Sequence, residues 1–237
     1  KAYMKGLEEH HVYGTPKHFP GHGATEGDSH KGFAYTYKTW DELEQAELVP
    51  FAGLIQDNTP FIMAGHISLP QVTGDDTPSS LSSQVLTDYL RETMGYNGII
   101  ITDALNMGAI QDNYPPDRAA VMALQAGADL LLMPADFKEA YNGVLDAVKT
   151  GELTEERIDQ SLTRILGLKL TLPPSQTRKS HLNISSHLYK GTGINRTSIY
   201  RTSIIEQAAL PSQSGLSCLL LQIVLFQNVP YPISSLI

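Results

Sequence analysis

Four short apolar runs, at 11–18, 61–66, 99–103 and 129–134, each end on a polar or turn residue, and each is followed by a helical pattern. Their ends lie roughly 30–50 residues apart, the size of successive βα units. Alternation of this kind predicts a parallel sheet. Uninterrupted stretches such as Ile99-Ile100-Ile101 and Leu130-Leu131-Leu132 suit strands covered on both faces, as parallel sheets require. Between the runs, Thr39 and Glu42 make a capping-box signature, and Pro50 is placed to kink or split the helix they open. Ser83 is placed to cap a helix with Leu86 and Leu90 on one face, closing at Gly95. Helical patterns at 118–125 and 137–149 stop at Gly127 and Gly151. Thr154, followed by Glu155 and Glu156, opens a last helix whose Ile158, Leu162, Ile165 and Leu166 predict packing across the outside of the sheet. Four βα units are half of a barrel that needs eight strands to close. The pattern alone leaves two architectures open: the second half of such a barrel, or a smaller open sheet with helices on both faces. Ligands bind at the C-terminal edge of the strands in either.

Charge divides the chain at Pro173-Pro174. Residues 1–174 hold 12 Lys+Arg against 24 Asp+Glu, whereas 175–237 hold five against one and show no steady periodicity. The second part reads as an irregular tail with no assigned function, and a frame-shifted or wrongly joined end is one explanation of its opposite charge balance. It is expected to pack weakly or not at all on the first. Its apolar stretch at 216–226 is shorter than the roughly 20 residues of a membrane helix. A net charge of −8 and a pI near 5.4 argue against a nucleic-acid surface, which needs a basic patch. The single Cys218 excludes an internal disulfide framework and a cysteine zinc cage.

The polar chemistry collects at two run ends. Lys17, His18, His22, Asp28 and His30 fall within 14 residues, in a loop that Gly21 and Gly23 allow to turn sharply. Asp28 and His30 are two apart, so in extended backbone the carboxylate can orient the ring; an Asx turn with a solvent-facing histidine is the bland alternative. Asp103 directly follows Ile99-Ile-Ile-Thr102, a place where a carboxylate is costly unless it is paired or used. Capping the next helix is its structural alternative.

The segments KHFPGHGATEGDSH at 17–30 and TDALNMGAI at 102–110 resemble the two signature segments of family 3 glycoside hydrolases, in the bacterial β-N-acetylglucosaminidase (β-N-acetylhexosaminidase) branch. The resemblance runs from about Val12 to about Leu170 and excludes the tail. It implies an α/β fold, the C-terminal half of a (β/α)8 TIM barrel, with 1–174 as a partial barrel domain. It implies hydrolysis of terminal β-linked N-acetylglucosamine or N-acetylhexosamine by a retaining double displacement, on peptidoglycan-derived or chitin-type saccharides. Asp103 is then the nucleophile and His30, oriented by Asp28, the acid/base, while Lys17 and His18 bind sugar hydroxyls. No cofactor or metal is implied, and the partner is a small saccharide; nucleic acid and a membrane span are not expected. Oligomeric state and compartment both stay open, bacterial cytoplasm and cell envelope alike. Two other readings stand beside this one. A metal-dependent hydrolase would draw ligands from His18, His22, Asp28, His30 and His66; a non-catalytic sugar-binding fragment would keep only Lys17 and His18.

Overall fold

The computed structural model describes residues 1–10, 12–26 and 32–171. Asp28, His30 and the tail at 175–237 lie outside the described residues.

Helix α1 (Ala2–Glu9) opens the chain, and a single 3-10 turn follows at His22–Ala24. Strand β1 (Ala34–Tyr35) precedes α2 (Trp40–Glu44) and α3 (Val49–Gln56). The capping box is present in full: the Thr39 side chain accepts from the Glu42 amide, and the Glu42 carboxylate accepts from the Thr39 amide. Pro50 splits the expected helix in two and sits in the first turn of α3, where its missing N–H costs nothing.

Next come β2 (Phe61–Ala64), β3 (Ile67–Ser68), α4 (Pro70–Thr73), a 3-10 turn at Ser79–Leu81, and a π-helix at Gln84–Thr93. Ser83 does not cap that helix. Its backbone is already helical, at φ −64° and ψ −34°, whereas a capping residue needs extended geometry to fold its oxygen back. The apolar face holds as expected, with Leu86 and Leu90 fully buried. The chain finishes with β4 (Ile99–Ala104), α5 (Gly108–Gln111), α6 (Pro116–Ala126), β5 (Leu130–Leu132), α7 (Phe137–Thr150) and α8 (Glu155–Thr171). Gly127 and Gly151 close α6 and α7 in left-handed conformation, and the Thr154 hydroxyl accepts from Arg157 N at 3.2 Å at the start of α8.

The main sheet has the order β2-β4-β5, all parallel, with Phe61 opposite Ile99 and Ala64 opposite Thr102. The first apolar run, expected at 11–18, is corrected: its described residues, 12–18, form no regular strand. It touches β2 through one parallel bridge, Phe19 to Ala64, and three hydrogen bonds: Met63 N to Pro16 O, Phe19 N to Met63 O, and Gly65 N to Phe19 O. Pro16 and Pro20 bracket this contact and have no N–H to extend a ladder. A second, two-stranded parallel sheet, β1-β3, lies past the C-terminal end of β2.

Side chains alternate between two apolar clusters. Phe19, Ile62, Ala64, Ile100 and Leu131 join the larger one, with the π-helix, α6 and α7; Ile99, Ile101 and Leu130 form the smaller one with Ile165 of α8. Both faces of the Ile99-Ile100-Ile101 run are thus buried. The last helix does not stay on one side: Ile158 belongs to the larger cluster and Ile165 to the smaller. It is pinned by a buried charge cluster. Asp129, immediately before β5 and fully buried, accepts from Ser161 Oγ at 2.6 Å, Arg164 Nη1 at 3.1 Å, the Ile100 amide at 3.0 Å and the Arg91 guanidinium. Arg157 adds a third guanidinium at 3.8 Å. A buried carboxylate persists only when so paired, and here the pairing ties the π-helix, β4 and α8 together at the N-terminal end of the sheet.

Candidate active site

At the opposite, C-terminal end, β4 is irregular where it carries its polar residues. Ile101 pairs with Leu130 and Ala104 with Leu132, so β4 spends one residue more than β5 over the same interval. A bulge of this kind re-aims a side chain at a strand end. The buried Thr102 fills the gap: its hydroxyl accepts from Leu132 N at 3.0 Å, and the ladder resumes with Leu105 N to Leu132 O at 2.8 Å. Asp103 projects from the bulge half-buried, and its Oδ1 accepts from the Ala104 amide at 2.8 Å.

The segment beside β2 brings His18 to the same place. Phe19 is buried in the larger core, and alternation along extended backbone turns His18 to the other side. Its Nε2 stands 3.3 Å from Asp103 Oδ2, with side-chain exposures of 25% and 17%. The backbones pass closely here: a Cβ on Gly65 would stand 3.0 Å from His18 Cβ. Burial lowers the His18 pKa below its ordinary 6.5; the Asp103 charge pulls upward, and Lys17, His22 and His66 push further down. A neutral imidazole brings no full charge to the carboxylate, which keeps the attraction between them modest. Lys17, next to it, is exposed. The Lys17–His18 and Phe19–Pro20 peptide bonds are both cis.

Beyond His18 the loop turns at Gly21, φ +137°, where a side chain would strike Glu47 Cβ. The His22 ring meets the His18 ring edge-on at 5.7 Å. Thr25 fixes it: the hydroxyl donates to His22 O at 2.9 Å and lies 2.8 Å from His22 Nδ1.

His66, expected only as a possible metal ligand, is built in as something else. It is 1% exposed, with Nδ1 2.7 Å from Ser80 Oγ and Nε2 2.9 Å from Ala104 O. Both ring nitrogens are engaged by protein, and burial lowers its pKa. Among the described residues no three His, Cys, Asp or Glu side chains converge as a metal site. The structure therefore brings Lys17, His18 and Asp103 to one strand edge. The expected pair Asp28 and His30 falls outside the described residues. Sequence reasoning missed Thr102 and the role of His66; their signal was a polar residue at or next to the end of an apolar run.

Comparison with known proteins places this edge in context. The model of the family described as Glycosyl hydrolase family 3 N terminal domain matches residues 1–168. Beta-hexosaminidase A of Pseudoalteromonas piscicida is 37% identical over 194 residues, which are 73% of this chain and 32% of that protein. The solved glycoside hydrolase family 3 beta-N-acetylglucosaminidase of Paenibacillus sp. str. FPU-7 superposes with a TM-score of 0.69 at 31% identity, covering 93% of this chain and 38% of that one. Beta-glucoside phosphorylase BglX superposes equally well, with a TM-score of 0.69 at 32% identity over 72% of this chain and 32% of that one. The chain thus spans about a third of the length of these relatives. With parallel sheets in a TIM-barrel-type α/β fold, and the family model matched over most of its length, the chain belongs to glycosyl hydrolase family 3, to its N-terminal domain.

Proposed function

We propose that this chain is the part of a β-N-acetylhexosaminidase that carries the nucleophile and the acid/base, releasing terminal β-linked N-acetylglucosamine with retention. The observation that carries the reading is the meeting of His18 and Asp103 at the C-terminal strand edge, on the two segments that resemble the family's signatures. In this reading Asp103 attacks the anomeric carbon as His30 protonates the departing glycosidic oxygen, breaking that bond and leaving a glycosyl ester on Asp103. Water then attacks the same anomeric carbon, giving its proton to His30, and the bond from that carbon to Asp103 breaks to free the carboxylate. Asp28 holds the His30 ring. A histidine acid avoids the like-charge repulsion that a second carboxylate would have with Asp103, and it titrates near neutral pH. Lys17 and His18 donate hydrogen bonds to sugar hydroxyls.

The same reading puts β2, β4 and β5, with the segment at 16–19 that pairs with β2 without forming a regular strand, at four successive strand positions of an eight-stranded barrel. The parallel order and the short share of each relative covered support it. Four further strands would come from another part of the protein. The likeness to a phosphorylase makes the second-step acceptor a separate question.

The test is turnover of an aryl N-acetyl-β-glucosaminide by the full-length protein, with and without inorganic phosphate and with and without a chelator. Free N-acetylglucosamine of retained configuration, insensitive to chelator, is expected. A sugar 1-phosphate formed only with phosphate would replace hydrolysis by phosphorolysis, and loss of activity in chelator would favour the metal-dependent alternative.

A further inference from the structure

We propose that His66 is a positioning residue for Asp103, a strut from the turn at Ser79–Leu81 to the bulged end of β4. The inference rests on the reading of Asp103 as nucleophile. Ala104 is the link between the two. Its N–H is held by Asp103 Oδ1 at 2.8 Å, and its carbonyl is held by His66 Nε2 at 2.9 Å. A carbonyl only accepts, so Nε2 carries the ring proton, and the Ser80 hydroxyl donates to Nδ1 at 2.7 Å. The ring is fixed at its root as well. Ser79 Oγ donates to Gly65 O at 2.7 Å, Ser80 N donates to the same carbonyl at 3.2 Å, and Ile67 N reaches Ser79 Oγ at 3.4 Å. Ser79 and Ser80 are fully buried and His66 nearly so, leaving little room for the strut to move.

The strut falls where the sheet itself holds β4 least. At the bulge the ladder to β5 is carried by a side chain, Thr102, in place of a backbone carbonyl. Freed from His66, the peptide after Ala104 would keep Leu105 N to Leu132 O and the local turn bond from Met107 N to Ala104 O at 3.1 Å, but it would lose its tie to the turn at Ser79–Leu81, and the Ala104 amide that orients Asp103 would be freer to turn. A histidine that merely filled core volume would need neither nitrogen to face a fixed partner, and here both do.

The test compares His66→Leu with His66→Gln in the full-length protein. Glutamine can still donate an amide N–H toward Ala104 O; leucine fills the space without a donor. The expected result is that His66→Leu lowers kcat on an N-acetyl-β-glucosaminide by about 10- to 100-fold, changes KM far less, and that His66→Gln restores most of the loss. Equal kcat in both variants and wild type, or equal losses that track lowered thermal stability, would overturn the inference. The second measurement needs no variant. Ring ¹⁵N shifts of wild-type His66 should report a neutral Nε2–H tautomer, and an Nδ1–H tautomer would equally overturn it. Asp103→Asn, assayed alongside, separates the two ideas: an active Asp103→Asn defeats the reading beneath, whereas an inactive one beside an unimpaired His66→Leu defeats only the strut.

Discussion

His18 Nε2 lies 3.3 Å from Asp103 Oδ2, and the two residues reach that distance from segments on either side of β2. His18 comes from the proline-bracketed segment beside one edge of β2, and Asp103 from the strand paired with the other. Meeting at the C-terminal end of parallel strands, they occupy the position where this architecture binds ligands. The arrangement makes the following outcomes measurable.

With His30 as the proposed acid/base and Asp28 as its proposed orienting partner, these two should separate from Asp103 by their dependence on the leaving group. In His30→Ala, loss should be greatest for natural disaccharides and least for activated aryl glycosides, because a good leaving group departs without a proton. Asp28→Asn should fall between wild type and His30→Ala, since the ring stays in place but loses its orienting charge. Kinetics on a series of aryl and disaccharide substrates check this, and equal losses across the series would show that His30 is not the acid.

Thr102→Val should cost about 1–3 kcal/mol of stability, the penalty of leaving the part-buried Leu132 amide without its acceptor. Thr102→Ser keeps the hydroxyl and should recover much of it. Denaturant unfolding of the three proteins is the measurement. Equal stability for Val and wild type would mean that the bulge is held by other contacts.

How much of this was legible beforehand depends on distance along the chain. The capping box at Thr39 and Glu42, the glycine stops at Gly127 and Gly151 and the buried Ile99-Ile100-Ile101 run are local patterns, and they stand as read. So does the presence of Asp103 at the strand edge, since a carboxylate after three isoleucines is a local anomaly. The bulge is invisible locally because it is a difference in register between two strands. His66 entered only the metal-dependent alternative because its true partners, Ser80 and the Ala104 carbonyl, are supplied by tertiary contacts. The first run failed as a strand for a local reason, its prolines, that deserved more weight than its apolar content. Asp28 and His30 rest on resemblance to a family motif.

Acid should destabilise the fold through two site histidines, His66 buried and His18 partly so. Burial lowers the pKa of His18 and His66 below the ordinary 6.5. Well above 6.5 both rings are neutral whether the chain is folded or not, and the stability is fully present. As pH falls through 6.5 the unfolded chain takes up protons that the native rings refuse, so stability declines until the lower native values are reached. Unfolding midpoints at pH 7.5 and pH 5 check the sign, and His66→Gln should shallow the decline. A protein equally stable at both, or more stable in acid, would contradict it.

Removing the buried carboxylate at the other end of the sheet should be more damaging. Asp129→Ala leaves Arg91, Arg157 and Arg164 facing one another without their counter-ion, a loss of about 3–5 kcal/mol for a broken buried network. Denaturant unfolding should show this with little change in the environment of Asp103, which lies at the opposite end of the strands. A stability within 1 kcal/mol of wild type, by the same measure, would be well below what such networks cost to break.

The central claim is that Asp103 forms the covalent glycosyl-enzyme, and trapping tests it most directly. Full-length protein incubated with a fluorinated N-acetylglucosaminyl fluoride, whose ester forms faster than it hydrolyses, should gain the mass of one glycosyl group, and peptide mapping should find it on Asp103. Asp103→Asn should gain none and should turn over no aryl N-acetyl-β-glucosaminide, whatever its leaving group, because both chemical steps pass through that carboxylate. A label on any other residue, or an Asp103→Asn protein that keeps wild-type turnover, would contradict the account.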